Sequence, residues 1–209
     1  MLSRIRGALL AGLSALLLVA LAAPAANANL LSLLPGACGA QPESQPFAAW
    51  GDSAYYTPVA GGSFEANSPA WLLTGGAQVS AGNESFDVAG SGSRSLTLPA
   101  GSSATSLPSC TSIYHPTVRL FVRNTGSRSS RLLVQALYPG LLGGVQSATV
   151  GVLSGSSSWA PSQAMPLLTS NLMATVSLAN TVIAFRFTPA DRAGAWSIDD
   201  VYLDPYHRS

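Results

Sequence analysis

The sequence predicts an all-β domain, an antiparallel two-sheet jelly-roll β-sandwich preceded by an irregular N-terminal arm. Two observations carry that prediction. Segments of eight or nine residues in the second half alternate apolar and polar side chains, and turns rich in Gly, Ser and Pro punctuate the whole chain. No long amphipathic pattern with a 3.6-residue period separates the strands, which excludes an α/β layout.

The chain of 209 residues opens with Arg4 and Arg6, then a small and apolar run from Gly7 to Ala23, Pro24, and the small-residue pattern Ala26, Asn27, Ala28. This reads as a signal peptide over residues 1–28. The run is shorter than the ~20 residues a spanning helix needs. The expected mature protein is therefore secreted, has no membrane span after cleavage, and is one domain of ordinary size. Residues 29–57 are too rich in Pro and Gly for a core strand, yet carry Phe47, Trp50, Tyr55 and Tyr56. We expect these rings to cover an open edge or end of the sandwich, the alternative being a ligand platform.

Cys38 and Cys110 are the only cysteines. In an oxidising compartment they read as one disulfide that pins the arm to the sandwich, worth roughly 4 kcal/mol on a chain-entropy argument. Neither has a second Cys or a His at metal-ligand spacing.

The sandwich is expected over residues 58–205, with a short tail at 206–209. In its first half, strands are predicted near Ser63–Glu65, Trp71–Thr74, Ala77–Ser80, Ser93–Leu98 and Ser102–Ser106. Thr117–Asn124 then sets Val118, Leu120 and Val122 against Arg119, Phe121 and Arg123. Arg131–Pro139 follows after the turn TGSRSS as the second arm of a hairpin, and Val145–Leu153 begins after a glycine pair. Thr181–Pro189 sets Ile183, Phe185 and Phe187 against Ala184, Arg186 and Thr188, and Trp196–Leu203 closes the series. One helical turn is expected at Pro166–Met173.

Charge excludes several functions. Removing residues 1–28 takes away Arg4 and Arg6, so 10 − 2 = 8 arginines face nine acids, and there is no lysine. Without clustered cations there is no nucleic-acid footprint. Without lysine there is no phosphate-loop lysine, Schiff base or Ser–Lys dyad. No nucleophile elbow, zinc-protease or dinucleotide motif occurs. Of the two histidines, His207 lies in the tail and His115 alone could serve a hydrolase as base. The N-x-S sequon at Asn83 we read as coincidental.

Glycoside hydrolysis would need two carboxyls facing each other at roughly 5 to 9 Å. The available acids are Glu65, Glu84, Asp87, Asp199 and Asp200. Neighbours on one strand point to opposite faces, so Asp199 and Asp200 make no dyad unless a bulge intervenes. Structural calcium suits them better, because Glu65 with Asp199 or Asp200 and backbone carbonyls would supply hard oxygen ligands. The other reading is edge acids partnered by Arg192 or Arg186. Sugar recognition asks for flat rings beside Arg, Asn or Gln. Arg119, Phe121 and Arg123 on one strand face, with Gln135 and Arg186 on neighbouring strands, fit that demand. Alternatively, the arm packs over the same face.

Two fragments, GGSFEANSPAW (Gly61–Trp71) and AWSIDDVYLDP (Ala195–Pro205), resemble the first and last strands of galactose-binding-like jelly rolls. The likeness is to carbohydrate-binding modules of the family 4, 9 and 22 type, and the chain overall resembles a group of secreted bacterial proteins. The resemblance implies a jelly roll from about Pro58 to Pro205 and a calcium held by Glu65 and Asp199 or Asp200. Gly61 replaces the asparagine usual before the first motif. The function expected is non-catalytic binding of extracellular or cell-wall carbohydrate. The alternatives are a structural or adhesive surface protein, and a small secreted hydrolase.

Overall fold

The computed structural model describes residues 42–66, 71–111, 117–140, 144–167 and 181–204. The expected signal peptide, Cys38, His115, residues 168–173 of the expected helical turn, and the tail with His207 lie outside the described residues. Among those described, the only helix is a single 3-10 turn at Ala48–Trp50.

Two antiparallel sheets form the predicted sandwich. One carries β10 (Ala160–Pro161), β7 (Thr117–Asn124), β13 (Trp196–Leu203), β4 (Arg94–Leu98) and β3 (Gln78–Ala81) in that order, with β1 (Thr57–Pro58) also on β13 and β11 (Met165–Pro166) also on β7. The other runs β2 (Leu72–Thr74), β5 (Ser103–Thr105), β12 (Thr181–Pro189), β8 (Leu132–Pro139) and β9 (Val145–Leu153), with β6 (Ser109–Thr111) beside β12. Alternation decides which residues face inward. Val118, Leu120 and Val122 of β7 meet Val134 and Ala136 of β8 and Ile183, Phe185 and Phe187 of β12 in one continuous core. Trp71 closes that core by stacking on Phe187 with ring centroids 5.7 Å apart, while its indole N–H donates to the Ala60 carbonyl at 2.9 Å.

Every long strand of the second half lies where alternation placed it, but the hairpin expected after Asn124 does not form: β7 pairs with β13 in one sheet and β8 with β12 and β9 in the other, so the turn TGSRSS crosses between the sheets. The first half is less regular. Ser63–Glu65 forms no strand: Gly61 (φ 72°) and Phe64 (φ 55°) adopt left-handed backbone, and the resulting turn tucks the Phe64 ring against Trp71 at 4.9 Å. Pro166 stands in the short strand β11 rather than in a helical turn, because Met165 and Pro166 pair with Val118 and Thr117.

Strand β13 carries one irregularity that shapes the site. Asp199 pairs with Phe121 and Tyr202 with Arg119, so two residues, Asp200 and Val201, stand opposite the single Leu120. This is a β-bulge. Asp200 takes the strained φ of 45°, and the inward set shifts from Trp196 and Ile198 to Val201 and Leu203.

Candidate functional site

The Arg119, Phe121 and Arg123 face is no open sugar site, because the arm fills it. Phe121 is wholly buried. Phe47 stacks on it at 5.3 Å, with Tyr56 and Tyr202 edge-on to Phe47 at 4.9 and 5.8 Å. Arg119 is buried beneath the same arm. It pairs with Asp52, donates from Nε and Nη2 to the Ser162 carbonyl at 3.0 and 2.7 Å, and lies 4.1 Å from the Phe47 ring centre. Arg123 stacks over Trp159 at 4.8 Å. The physical reason is apolar area: a strand face bearing a phenylalanine is more stable under rings than in water.

Gln135 and Arg186 sit elsewhere, on the outer face of the other sheet, and the structure brings them together. They are direct cross-strand partners in the ladder of β8 and β12. The register extends that pair into a row crossing all five main strands: Leu72, Thr105, Arg186, Gln135, Thr149. Arg186 Nε donates to Thr105 Oγ1 at 3.3 Å. Arg186 and Gln135 are half-buried, while Leu72 and Thr149 at the row's ends are exposed. The guanidinium of Arg186, the amide of Gln135 and the hydroxyl of Thr149 can donate to and accept from sugar hydroxyls, while the buried Thr105 orients the guanidinium.

The acids gather at the bulge. Between the stretch of β13 paired with β4 and the stretch paired with β1, the loop carrying Glu84 comes in against Asp199. Glu84, Asp199 and Asp200 are all buried, at 1%, 0% and 4% exposure. The Glu84 N–H donates to Asp199 Oδ2 at 3.0 Å, and the Asp200 N–H to Asp199 Oδ1 at 2.9 Å. The Glu84 carboxylate in turn accepts from the N–H groups of Phe86 and Val88. Burial first, then the Asp200 charge, pushes the Asp199 carboxyl up to about 8. Burial and the Glu84 charge push Asp200 up to about 7. Neither aspartate has an arginine partner among the described residues. The bulge thus sets two adjacent carboxyls against one loop, which strict alternation would have forbidden. Sequence reasoning placed Glu84 among the available acids but missed its burial, since nothing in the polar stretch GNESFD marks it. Closed off from solvent, this trio does not meet the demand of glycoside hydrolysis for exposed carboxyls across a cleft.

Glu65 stands at the rim. Its carboxylate accepts from the Ser93 N–H at 2.7 Å, the Ser93 hydroxyl at 3.1 Å and the Arg94 N–H at 2.9 Å. Burial alone would raise its carboxyl, but these bonds hold it below the usual range. Glu65, Asn83, Ser63 and Asp200, with residues 89–92, line a cavity of about 320 Å³. Among the described residues no three carboxylate, His or Cys side chains group closely enough to hold a metal by themselves. The donor set fits a hard cation only with neutral oxygens completing the shell, which is the habit of calcium and not of a transition metal. Asp199 lies outside this set, since it does not line the cavity. Asn83 Nδ2 donates to the Glu84 carbonyl at 3.0 Å and to Asp87 Oδ1 at 3.1 Å, so the sequon's nitrogen is engaged within the fold.

Among the described residues no cysteine is free. Cys110 sits on β6 opposite Val182, and its predicted partner Cys38 lies outside the described residues. No helix among the described residues is long and apolar enough to cross a membrane.

No protein-family model matches the sequence, and no curated protein matches it. Several solved structures are similar in fold. The CBM22-1 and GH10 modules of Clostridium thermocellum endo-1,4-beta-D-xylanase 10B, complexed with xylohexaose, align at 12% identity and TM-score 0.46 over 64% of this chain, which spans 26% of that one. The C-terminal family 22 carbohydrate-binding module of Clostridium thermocellum Xyn10B aligns at 18% identity and TM-score 0.42, over 68% of this chain and 90% of that one. The enzymatically active domain of bacteriophage CBA120 tailspike protein 4 aligns at 16% identity and TM-score 0.43, over 70% of this chain and 21% of that one. At TM-scores below 0.5 these likenesses carry no argument about what this chain does.

Proposed function

We propose that the protein is an exported, non-catalytic module that binds extracellular or cell-wall carbohydrate on the outer face of its six-stranded sheet, through Arg186 and Gln135. The observation that supports this reading is the cross-strand pair of Arg186 and Gln135, both half-buried, with the exposed Thr149 next to Gln135 in the same row and the exposed Leu72 at its far end. A pleated sheet holds such side chains at fixed spacing, so little order has to be gained on binding. In the same reading, a calcium ion held by Glu65, Asp200 and neutral oxygens steadies the bulge without touching sugar. A Cys38–Cys110 disulfide ties down the arm.

The test is a glycan array with the mature protein, run with calcium and with a chelator, followed by titration of any glycan bound. Arg186→Ala with Gln135→Ala should weaken binding at least tenfold, about 1.4 kcal/mol, with an unchanged melting temperature. A wild-type protein that binds no glycan in either condition is instead the structural or adhesive protein without a sugar site.

A further inference from the structure

The outer face of the seven-stranded sheet bears a second feature, at the edge of the arm. Trp50 and Phe86 are 38% and 41% exposed, and their rings meet edge to face with centroids 4.8 Å apart. Both rest on the buried Phe121, at 5.4 and 5.6 Å. They arrive from distant parts of the chain and both are firmly mounted. The Trp50 N–H donates to the Phe47 carbonyl at 2.9 Å, closing the 3-10 turn. The Phe86 N–H donates to the buried Glu84 carboxylate, whose own backbone is tied to Asp199. Exposed residues flank Phe86 on both sides, Ser85 with a hydroxyl and Asp87 with a carboxylate.

We infer that Trp50 and Phe86 form a second ligand subsite, a stacking surface for the apolar C–H face of a neutral sugar ring. This rests on the carbohydrate reading above, but on residues from the opposite sheet. Size argues for a small ligand. Two rings each about 40% exposed, of roughly 200 Å² apiece, offer about 150 Å². A stable protein partner needs about 800 Å² per side, whereas one pyranose face needs no more than this patch supplies. Charge argues against an anionic ligand, because the exposed Asp87 carboxylate flanks Phe86. The pre-set ring geometry lowers the ordering cost of binding.

The experiment titrates the mature protein with soluble neutral oligosaccharides, cello-, xylo- and mixed-linked hexaoses, by calorimetry and by NMR of the indole N–H signals. The Trp50 signal is assigned by its loss in Trp50→Phe. The Trp50 signal should move on titration. Phe86→Ala and Trp50→Ala should each weaken binding at this subsite about tenfold without changing binding at Arg186 and Gln135, and Trp50→Phe should weaken it less. Phe86→Ala decides the matter should Trp50→Ala fail to fold. If Arg186→Ala with Gln135→Ala abolishes binding while the Trp50 signal stays still and Phe86→Ala binds like wild type, the second subsite is wrong and the first reading stands. A wild type that binds none of these oligosaccharides overturns the second subsite, while the first reading stands or falls on the glycan array.

Discussion

The backbone N–H of Glu84 donates to Asp199 Oδ2 at 3.0 Å, joining residues 115 apart in the chain. Asp199 is thereby a structural acceptor. One oxygen holds the Glu84 loop against the bulge, and the other holds the next N–H of its own strand. Asp199→Ala leaves two buried N–H groups without partners, and each costs about 1–3 kcal/mol. We expect a loss of roughly 2–4 kcal/mol in urea unfolding. Asp199→Asn keeps one acceptor and should lose less. An Asp199→Ala protein within 0.5 kcal/mol of wild type would show that the bond carries no load.

The bulge acids also set a pH dependence. The folded carboxyls of Asp199 and Asp200 titrate near 8 and 7, well above the ordinary value of 3.8. A group with a raised folded pKa contributes stability that is full below its unfolded value and is lost as pH rises through the folded value. In chelator, therefore, the melting temperature should fall between about pH 5 and 8. Asp52 acts in the opposite sense and in another window. Burial would raise it, but bonds from the Tyr56 hydroxyl, the Ala54 N–H and Arg119 outweigh burial and hold it low, so its contribution fades as pH drops through the acid range. A melting temperature in chelator that is flat or rising from pH 5 to 8 contradicts the burial of the two aspartates.

Arg119 should prove structural. Its guanidinium joins Asp52, the Ser162 carbonyl and the Phe47 ring, with the side chain only 10% exposed. Removing one partner of a buried pair typically costs 3–5 kcal/mol. Asp52 keeps 28% exposure, which argues for a smaller loss here, about 2–3 kcal/mol for Arg119→Met. Glycan affinity measured below the variant's melting temperature should be unchanged. A selective loss of affinity with full stability would return Arg119 to the binding surface.

The legible and illegible parts of this fold differ for a physical reason. Ile183, Phe185 and Phe187 announce a strand because one face must be dry and the other need not be, and the turn after Asn124 follows from its glycine and serines, but not its destination, since it carries the chain from one sheet to the other instead of closing a hairpin. The bulge at Asp200 leaves a fainter signature. Trp196 and Ile198 fall out of phase with Val201 and Leu203 across the two aspartates, but Tyr202 on the other phase lets the segment pass for a regular strand. The assignment of Gln135 and Arg186 to one sheet and Phe121 to the other was equally hidden, since strand order in a sandwich is a long-range property. Arg119, Phe121 and Arg123 do alternate as a sugar-binding face should. Only the Phe47 ring lying on Phe121 distinguishes that from a face built to be covered.

Calcium can be tested through the conflict it would resolve. Asp200 is buried, is repelled by Glu84, Glu65 and Asp87, and gains only an N–H bond from Ala89. Without a cation its charge is a burden, so Asp200→Asn should raise the melting temperature in chelator at pH 8. With calcium the same charge becomes a ligand, and wild type should gain stability that grows with calcium concentration. Asp200→Asn should lose most of that gain, and so should Glu65→Gln, although Glu65→Gln also weakens the bonds to Ser93 and Arg94 and should melt lower in chelator. Asp191→Asn, on the exposed loop before β13, weakens the bonds its carboxylate accepts from the Arg131 and Ala193 N–H groups and should lower the melting temperature equally in both conditions, leaving the calcium gain unchanged. The decisive quantity is the crossing, with Asp200→Asn more stable than wild type in chelator and less stable in calcium. A wild-type melting temperature that ignores calcium at millimolar concentration removes the ion from this fold and leaves the cavity beside Glu65 to water.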